Sequence, residues 1–447
     1  MSVSSSTTDG ARGRLAAALG IGFAVAVTIG HAVGPGILRA PGIAADYLPS
    51  FWPFMLVWVA GGLYALLGAN AIAELATMTP RSGGHYALVR RGLGEFPGFV
   101  TGWSEWLALC GSTALVAILI GESAVAIFPD ARASGVVALA VVALFTIVQW
   151  TGLRPGAATQ IAATLLKIAA LLAFVAACLW LGSRSPAAPT VVSTDHEGSL
   201  LLAFIPALQA VIYAYGGWSA TIYFSEEFRD GPAVIPRALI LSTLLITAIF
   251  LLINLAFLAV VSLPTLARTP HAAAVVAVRL FGPAASTILH GFVAVFLLSA
   301  VSATILMATR VLYSMSSDSL FWRGAREVNG GGTPDVALLI SSIVSAAFVI
   351  AGSFESVIAT LAVFVVAIHA LSFLSLFVLR RTGRDIPRPW RAWGHPWTTG
   401  FVLAASLAFL GGVLVADVRS AISAGAVLVA SVPLYLLMRR LRTGYVR

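Results

Sequence analysis

Apolar runs long enough to cross a bilayer recur along almost the whole chain, and the breaks between them are short and rich in arginine, glycine or proline. A helix needs about 20 mostly apolar residues to span the hydrocarbon core. Twelve such runs can be drawn, at about 17–45, 52–78, 98–128, 135–153, 158–182, 200–228, 238–263, 284–315, 335–352, 355–379, 399–416 and 420–438, each end good to about 2–4 residues. Composition agrees: 59% of the residues are hydrophobic and 10% charged, against roughly a quarter charged in soluble domains. The pattern predicts an all-α polytopic membrane protein with one transmembrane domain over about 17–440. Polar tails over 1–16 and 441–447 flank it, and the polar start followed by a long apolar run predicts no cleaved signal peptide.

The cations are arginines with one exception, Lys167. Threading the runs alternately through a membrane puts nineteen arginines on one side, from Arg12 and Arg14 to Arg447, and five on the other: Arg132, Arg184, Arg268, Arg279 and Arg419. Arg39 and Arg310 fall inside runs. The positive-inside rule then places both termini in the cytoplasm of a cell's inner (plasma) membrane. The net charge of +9 is accounted for by loops facing anionic headgroups, with no call for nucleic acid. Cys110 and Cys178 both fall inside runs, where small buried apolar roles are expected rather than a disulfide or a metal pair. No cofactor motif is present.

Two runs are interrupted at matching depths. The first carries Gly34, Pro35 and Gly36; the sixth carries Gly216 and Gly217. Glycine and proline both weaken a helix interior, and paired breaks in two halves of a transporter point to a midplane binding site. Unwinding frees N–H groups at one half-helix start and carbonyls at the other half-helix end, and in hydrocarbon these need partners. Donors at Gly36, Ile37 and Leu38 suit a carboxylate; carbonyls at Tyr213 and Ala214 suit an ammonium. One anion site facing one cation site describes an amino acid. The competing reading, that these glycines serve only close helix packing, applies to each break taken alone.

Several stretches resemble the amino acid-polyamine-organocation (APC) superfamily, in its bacterial amino acid permease form, from about Leu19 to Arg440: "GPGILRAPG", "AELATMTPRSGGHYALVRRGLGEFPGFVTGW", "YAYGGWSATIYFSEEFRDGPAVIPRAL", "ATRVLYSMSSDSLF" and "LRRTGRDIPRPWRAWGHP". The resemblance implies a leucine-transporter-type fold: five helices repeated inverted as the next five (about 17–182 and 200–379), helices 1 and 6 broken, and two further helices at about 399–438. It implies gradient-driven transport of an amino acid or amine rather than catalysis, as symport or as exchange. By position it puts the carboxylate-binding loop on Gly34, Pro35 and Gly36, and the amine-binding and gating stretch on Tyr213 to Trp218. Pro35 departs from the serine or threonine of many members, which leaves the carboxylate to Gly36 and Ile37. His31, a turn earlier, reads as a packing histidine or a titrating one.

Lys167 lies some nine residues into its run, roughly 13 Å along a helix, too deep to reach either surface with ease. Intramembrane charges face inward and mark function. In several members of the superfamily a helix-five lysine stands where sodium-coupled relatives hold sodium, and the resemblance gives Lys167 that place, with Ser299 and Ser302 as partners from the eighth run. An amine can take up and release a proton where a guanidinium does not, so protons are the expected coupling ion. Glu74, Glu105, Glu226 and Glu227 read as helix-end charges whose nearest arginines by topology are Arg81, Arg229 and Arg237. Tyr213, Trp218 and the small residues Cys110 to Thr113 are expected around the substrate side chain, favouring a neutral amino acid. A membrane enzyme would need a catalytic set, and neither H-E-x-x-H nor G-x-S-x-G occurs.

Overall fold

A computed structural model describes residues 15–128, 134–182, 200–267, 272–351, 354–416 and 418–444. Residues 1–14 and 445–447 of the tails, and with them Arg12, Arg14 and Arg447, lie outside the described residues, as do Arg132, Arg184 and Arg268. Among the described residues there is no β-sheet; the chain is helix and connection.

The first run is two helices, α1 (Ile21–Ala32) and α2 (Gly36–Tyr47), bent by 50° at the break. Pro35 stands immediately before α2 with φ −63°, a place where its missing N–H costs nothing because the first helical donors are unpaired in any case. Then come α3 (Phe51–Met78), the short α4 (His85–Leu93), α5 (Glu95–Ile127), α6 (Ser134–Trp150) and α7 (Leu153–Gly182). The second half opens with α8 (Leu200–Ala214), which stops where the glycines begin; the chain turns through 215–219 and resumes as a 3₁₀ segment, Ala220–Phe224. It continues with α9 (Val234–Leu258), α10 (Leu263–Ala267), α11 (Ala272–Phe281), α12 (Ala285–Ser317), α13 (Asp335–Ala351), α14 (Phe354–Thr382), α15 (Trp397–Ala416) and α16 (Val418–Gly444).

Among the described residues six helices are long and apolar enough to cross a membrane, and the bent α1–α2 pair makes a seventh. Five shorter apolar helices accompany them, α11 among them. Helices α4, α10 and α11 stand where the sequence reading has only connection. Each is ten residues or fewer, below the length that a spanning pattern detects.

The two longest helices, α5 and α12, have 33 residues each and pack along one another. Helix α1 is enclosed by α7, α9 and α12. Outward-facing apolar side chains such as Leu165, Leu166, Ile147 and Ile343 are exposed, as lipid-facing residues are. Both cysteines are buried and unbridged.

Polar knots fasten one end of the bundle. Glu74, fully buried at the end of α3, pairs with Arg380 and with Arg388 (3.4 Å) and accepts the Ala392 N–H (2.7 Å). One turn earlier, the Asn70 amide exchanges hydrogen bonds with Trp390 and Trp393. The connection from α14 to α15 is thereby lashed across α3. Asp318 takes Arg81 and Arg90. Glu227, after the second break, is paired through two bonds with Arg310 of α12, both buried. The expected partners Arg229 and Arg237 form no ion pair with these acids among the described residues. Topology placed them near in sequence, but Arg310 is the cation that the packing of α12 turns toward the break. The backbone of Leu19 also pairs with Glu227 and Arg229, joining the entrance of α1 to the segment after the second break.

Candidate functional site

The two breaks meet. A Cβ placed on Gly36 would sit 3.0 Å from Ala214 Cα and 3.4 Å from its Cβ, so glycine lets the start of α2 lie against the end of α8 where a side chain would have to push them apart. Gly217 has φ +99°, and a Cβ there would come 2.5 Å from the His31 ring. Both breaks open on one cavity of about 170 Å³. Its wall includes Gly34, Pro35 and Gly36 from the first break and Tyr213, Ala214, Gly216 and Trp218 from the second.

Ile37 does not line it; its side chain is fully buried and only its backbone N–H, at the first turn of α2, remains a donor toward the break. Leu38 N–H already bonds to the Pro35 carbonyl, at 3.2 Å. Of the two carbonyls expected to hold an ammonium, that of Tyr213 is taken by the Gly216 N–H at 3.0 Å; the tight turn consumes it. The Ala214 carbonyl takes no N–H among the described residues. A helix start with a free N–H and a carbonyl without an N–H partner therefore lie side by side. Tyr213 is 42% exposed.

Lys167 is fully buried, and its Nζ donates to the carbonyls of Gly30 (2.8 Å) and Val33. Those carbonyls lie in the last turn of α1 and just beyond it, so the lysine supplies hydrogen bonds that a continuous helix would have made. The bridge to α12 is not made as expected. The Ser299 and Ser302 hydroxyls are buried without a partner among the described residues, and from α12 it is the Phe296 ring that faces the ammonium, 4.7 Å from Nζ to the centroid. Thr164, one turn before Lys167, donates to the Ala26 carbonyl at 2.9 Å. Three successive turns of α1 are thus held by α7.

The far end of the cavity holds groups that the sequence reading did not bring together. Glu105 of α5 accepts from the N–H groups of His85 (3.2 Å) and Tyr86 (3.1 Å) and from the Tyr223 hydroxyl (2.5 Å). The His85 ring is held between hydroxyls of Ser372 (2.8 Å) and Ser219 (3.0 Å). His369 stacks on Trp218, with ring centroids 5.0 Å apart. His31, Glu105, His85, Tyr223 and His369 all line the cavity. Of the stretch Cys110 to Thr113 only Ser112 does; Cys110 faces the Ser341 carbonyl and Thr113 bonds to Thr304. Tyr213 and Trp218, the other residues expected around the substrate side chain, do line it. The missed signal was a glutamate eleven residues into a spanning helix, read as a helix-end charge because α5 begins earlier than the run suggested.

A family model described as amino acid permease matches residues 20–436, nearly the whole chain. The chain belongs to that family. The permease is 24% identical over 432 residues to the serine/threonine exchanger SteT of Bacillus subtilis (strain 168), covering 94% of this chain and 97% of the relative. It is 25% identical over 378 residues to the mouse b(0,+)-type amino acid transporter 1, covering 83% and 77%. It is 26% identical over 390 residues to the human large neutral amino acids transporter small subunit 2, covering 83% and 71%. These relatives are transporters, and the family sets the permease among multi-pass membrane carriers of amino acids rather than among enzymes.

Proposed function

We propose that the permease carries an amino acid across the plasma membrane by alternating access, with both termini cytoplasmic. The reading takes twelve spans in an inverted 5+5 repeat followed by two helices, each half contributing one broken helix. The observation that carries it is the contact of the breaks: Gly36 at the start of α2 against Ala214 at the end of α8, on the wall of one cavity. The donors of Gly36 and Ile37 hold the carboxylate and the Ala214 carbonyl holds the ammonium. Gly34, Tyr213, Gly216 and Trp218 shape the space between.

Proton symport is the coupling we favour. Lys167 ties its ammonium to the α1 carbonyls at the break, so a change of protonation there alters what holds the broken helix in place. Ser299 and Ser302, unpartnered and close by, are the groups to which a released proton or a displaced ammonium would turn. Exchange is the second reading, favoured by the likeness to an exchanger over 94% of the chain. Uptake of labelled amino acids into proteoliposomes separates the two. Symport predicts accumulation into empty vesicles that follows an inwardly directed proton gradient. Exchange predicts uptake only when the vesicles hold unlabelled substrate, whatever the gradient.

A further inference from the structure

Acids buried or nearly so in this molecule are paired with arginine, with one exception among the described residues. Glu74 has Arg380 and Arg388, Glu227 has Arg310, and Asp318 has Arg81 and Arg90. Glu105 is 3% exposed, and no Lys, Arg or His forms an ion pair with it. It is also the one of these acids that lines the cavity.

Its surroundings hold a carboxylate as an acceptor. Two backbone N–H groups and the Tyr223 hydroxyl all donate to it, and three donors orient and support an acceptor without cancelling its charge. An ionised carboxylate away from water needs a cation. The neighbouring cavity wall offers more acceptor capacity and no positive charge. One nitrogen of His369 lies with the Val365 carbonyl, while Nε2 is buried without a partner. The His85 ring is already engaged by its two serines, and the two imidazoles lie with centroids 4.8 Å apart, a spacing that disfavours charging both.

We infer that Glu105, with Tyr223 and His369 beside it, forms a second cation subsite in the cavity, so that the substrate is an amino acid whose side chain ends in an ammonium or guanidinium group. The inference rests on the amino acid reading above and adds the side-chain class. Gly36, Ile37 and Ala214 take the backbone groups common to all amino acids, and Glu105 takes the terminal charge. The substrate supplies the counter-charge that the protein supplies to each of its other buried acids.

Lysine and norleucine test it, because they share a four-carbon side chain and differ by the terminal ammonium. Their binding to purified full-length permease is measured by calorimetry, in the parent and in Glu105→Gln. A desolvated ion pair gives lysine at least about 10-fold tighter binding than norleucine in the parent. Glu105→Gln weakens lysine by about that factor and leaves norleucine within about twofold. Norleucine binding as well as lysine in the parent overturns the inference, as does lysine binding unchanged in Glu105→Gln. If neither compound binds, this inference is overturned, while the amino acid reading is tested separately by the uptake measurements above. Glu105→Asp covers a failure of Glu105→Gln to fold: it keeps the charge but draws the carboxylate back by one methylene, and must weaken lysine more than norleucine, an equal effect on the two overturning the inference.

Discussion

Lys167 donates to two carbonyls that a continuous helix would have used itself, and that fixes what its replacements do. Lys167→Ala leaves two buried acceptors without donors, at about 1–3 kcal/mol each, so a lowered midpoint of thermal unfolding is expected along with lost concentrative uptake. Lys167→Arg keeps a charge that is not released in the working range of pH; proton-driven accumulation should vanish in it while exchange of internal for external substrate persists. Full accumulation by the arginine variant would move the coupling proton to another group, and His31, on the cavity wall, is the first to examine. At the first break, Gly36→Val must push against the Ala214 backbone; at the second, Gly217→Ala meets the His31 ring from a positive φ. Substrate affinity measured by calorimetry should fall by about 10-fold or more in each, equivalent to ~1.4 kcal/mol, with the protein still folded in membranes. Single residues were legible where composition isolates them, as it does the only lysine and the glycines of the breaks. Glu105 was not, because its hydroxyl partner lies 118 residues away and no local pattern announces the pairing.

Among elements, the segment after the second break is held from two directions, by the Leu19 backbone and by Arg310 of α12. Arg310→Met strands the Glu227 charge in a fully buried place, a loss of about 3–5 kcal/mol. Adding Glu227→Met should recover most of it, since an apolar pair of similar size is tolerated where half an ion pair is not. Thermal unfolding of the two single variants and the double variant measures the recovery. The long helices and both breaks could be read from the sequence, since hydropathy and glycine-proline punctuation act locally. Of the ion pairs, Arg81 with Glu226 (3.9 Å) could be read; the others could not, because arginines were assigned by nearness in the topology while helix packing chose Arg310 and Arg380.

Taken whole, the cavity wall is accessible at Tyr213, 42% exposed, and closed at Tyr223, 5% exposed; Asp318, Arg81 and Arg90 form one ion-pair group and Glu227 and Arg310 another. A cysteine at Tyr213 should react with a membrane-impermeant maleimide, and substrate should slow that reaction. A cysteine at Ser225, 4% exposed, should react only after Asp318→Asn loosens the closed end. Equal reactivity of Ser225→Cys with and without that change would show that Asp318 has no part in closure. The lashing of the α14–α15 connection over α3 has its own bearing on this cycle. A machine whose broken helices swing needs a fixed frame for them to swing against, and Glu74 and Asn70 bolt three separate stretches of chain into one such stator. Slackening it should leave the grip on substrate intact and make the stroke less effective: fewer turnovers per bound molecule rather than fewer molecules bound.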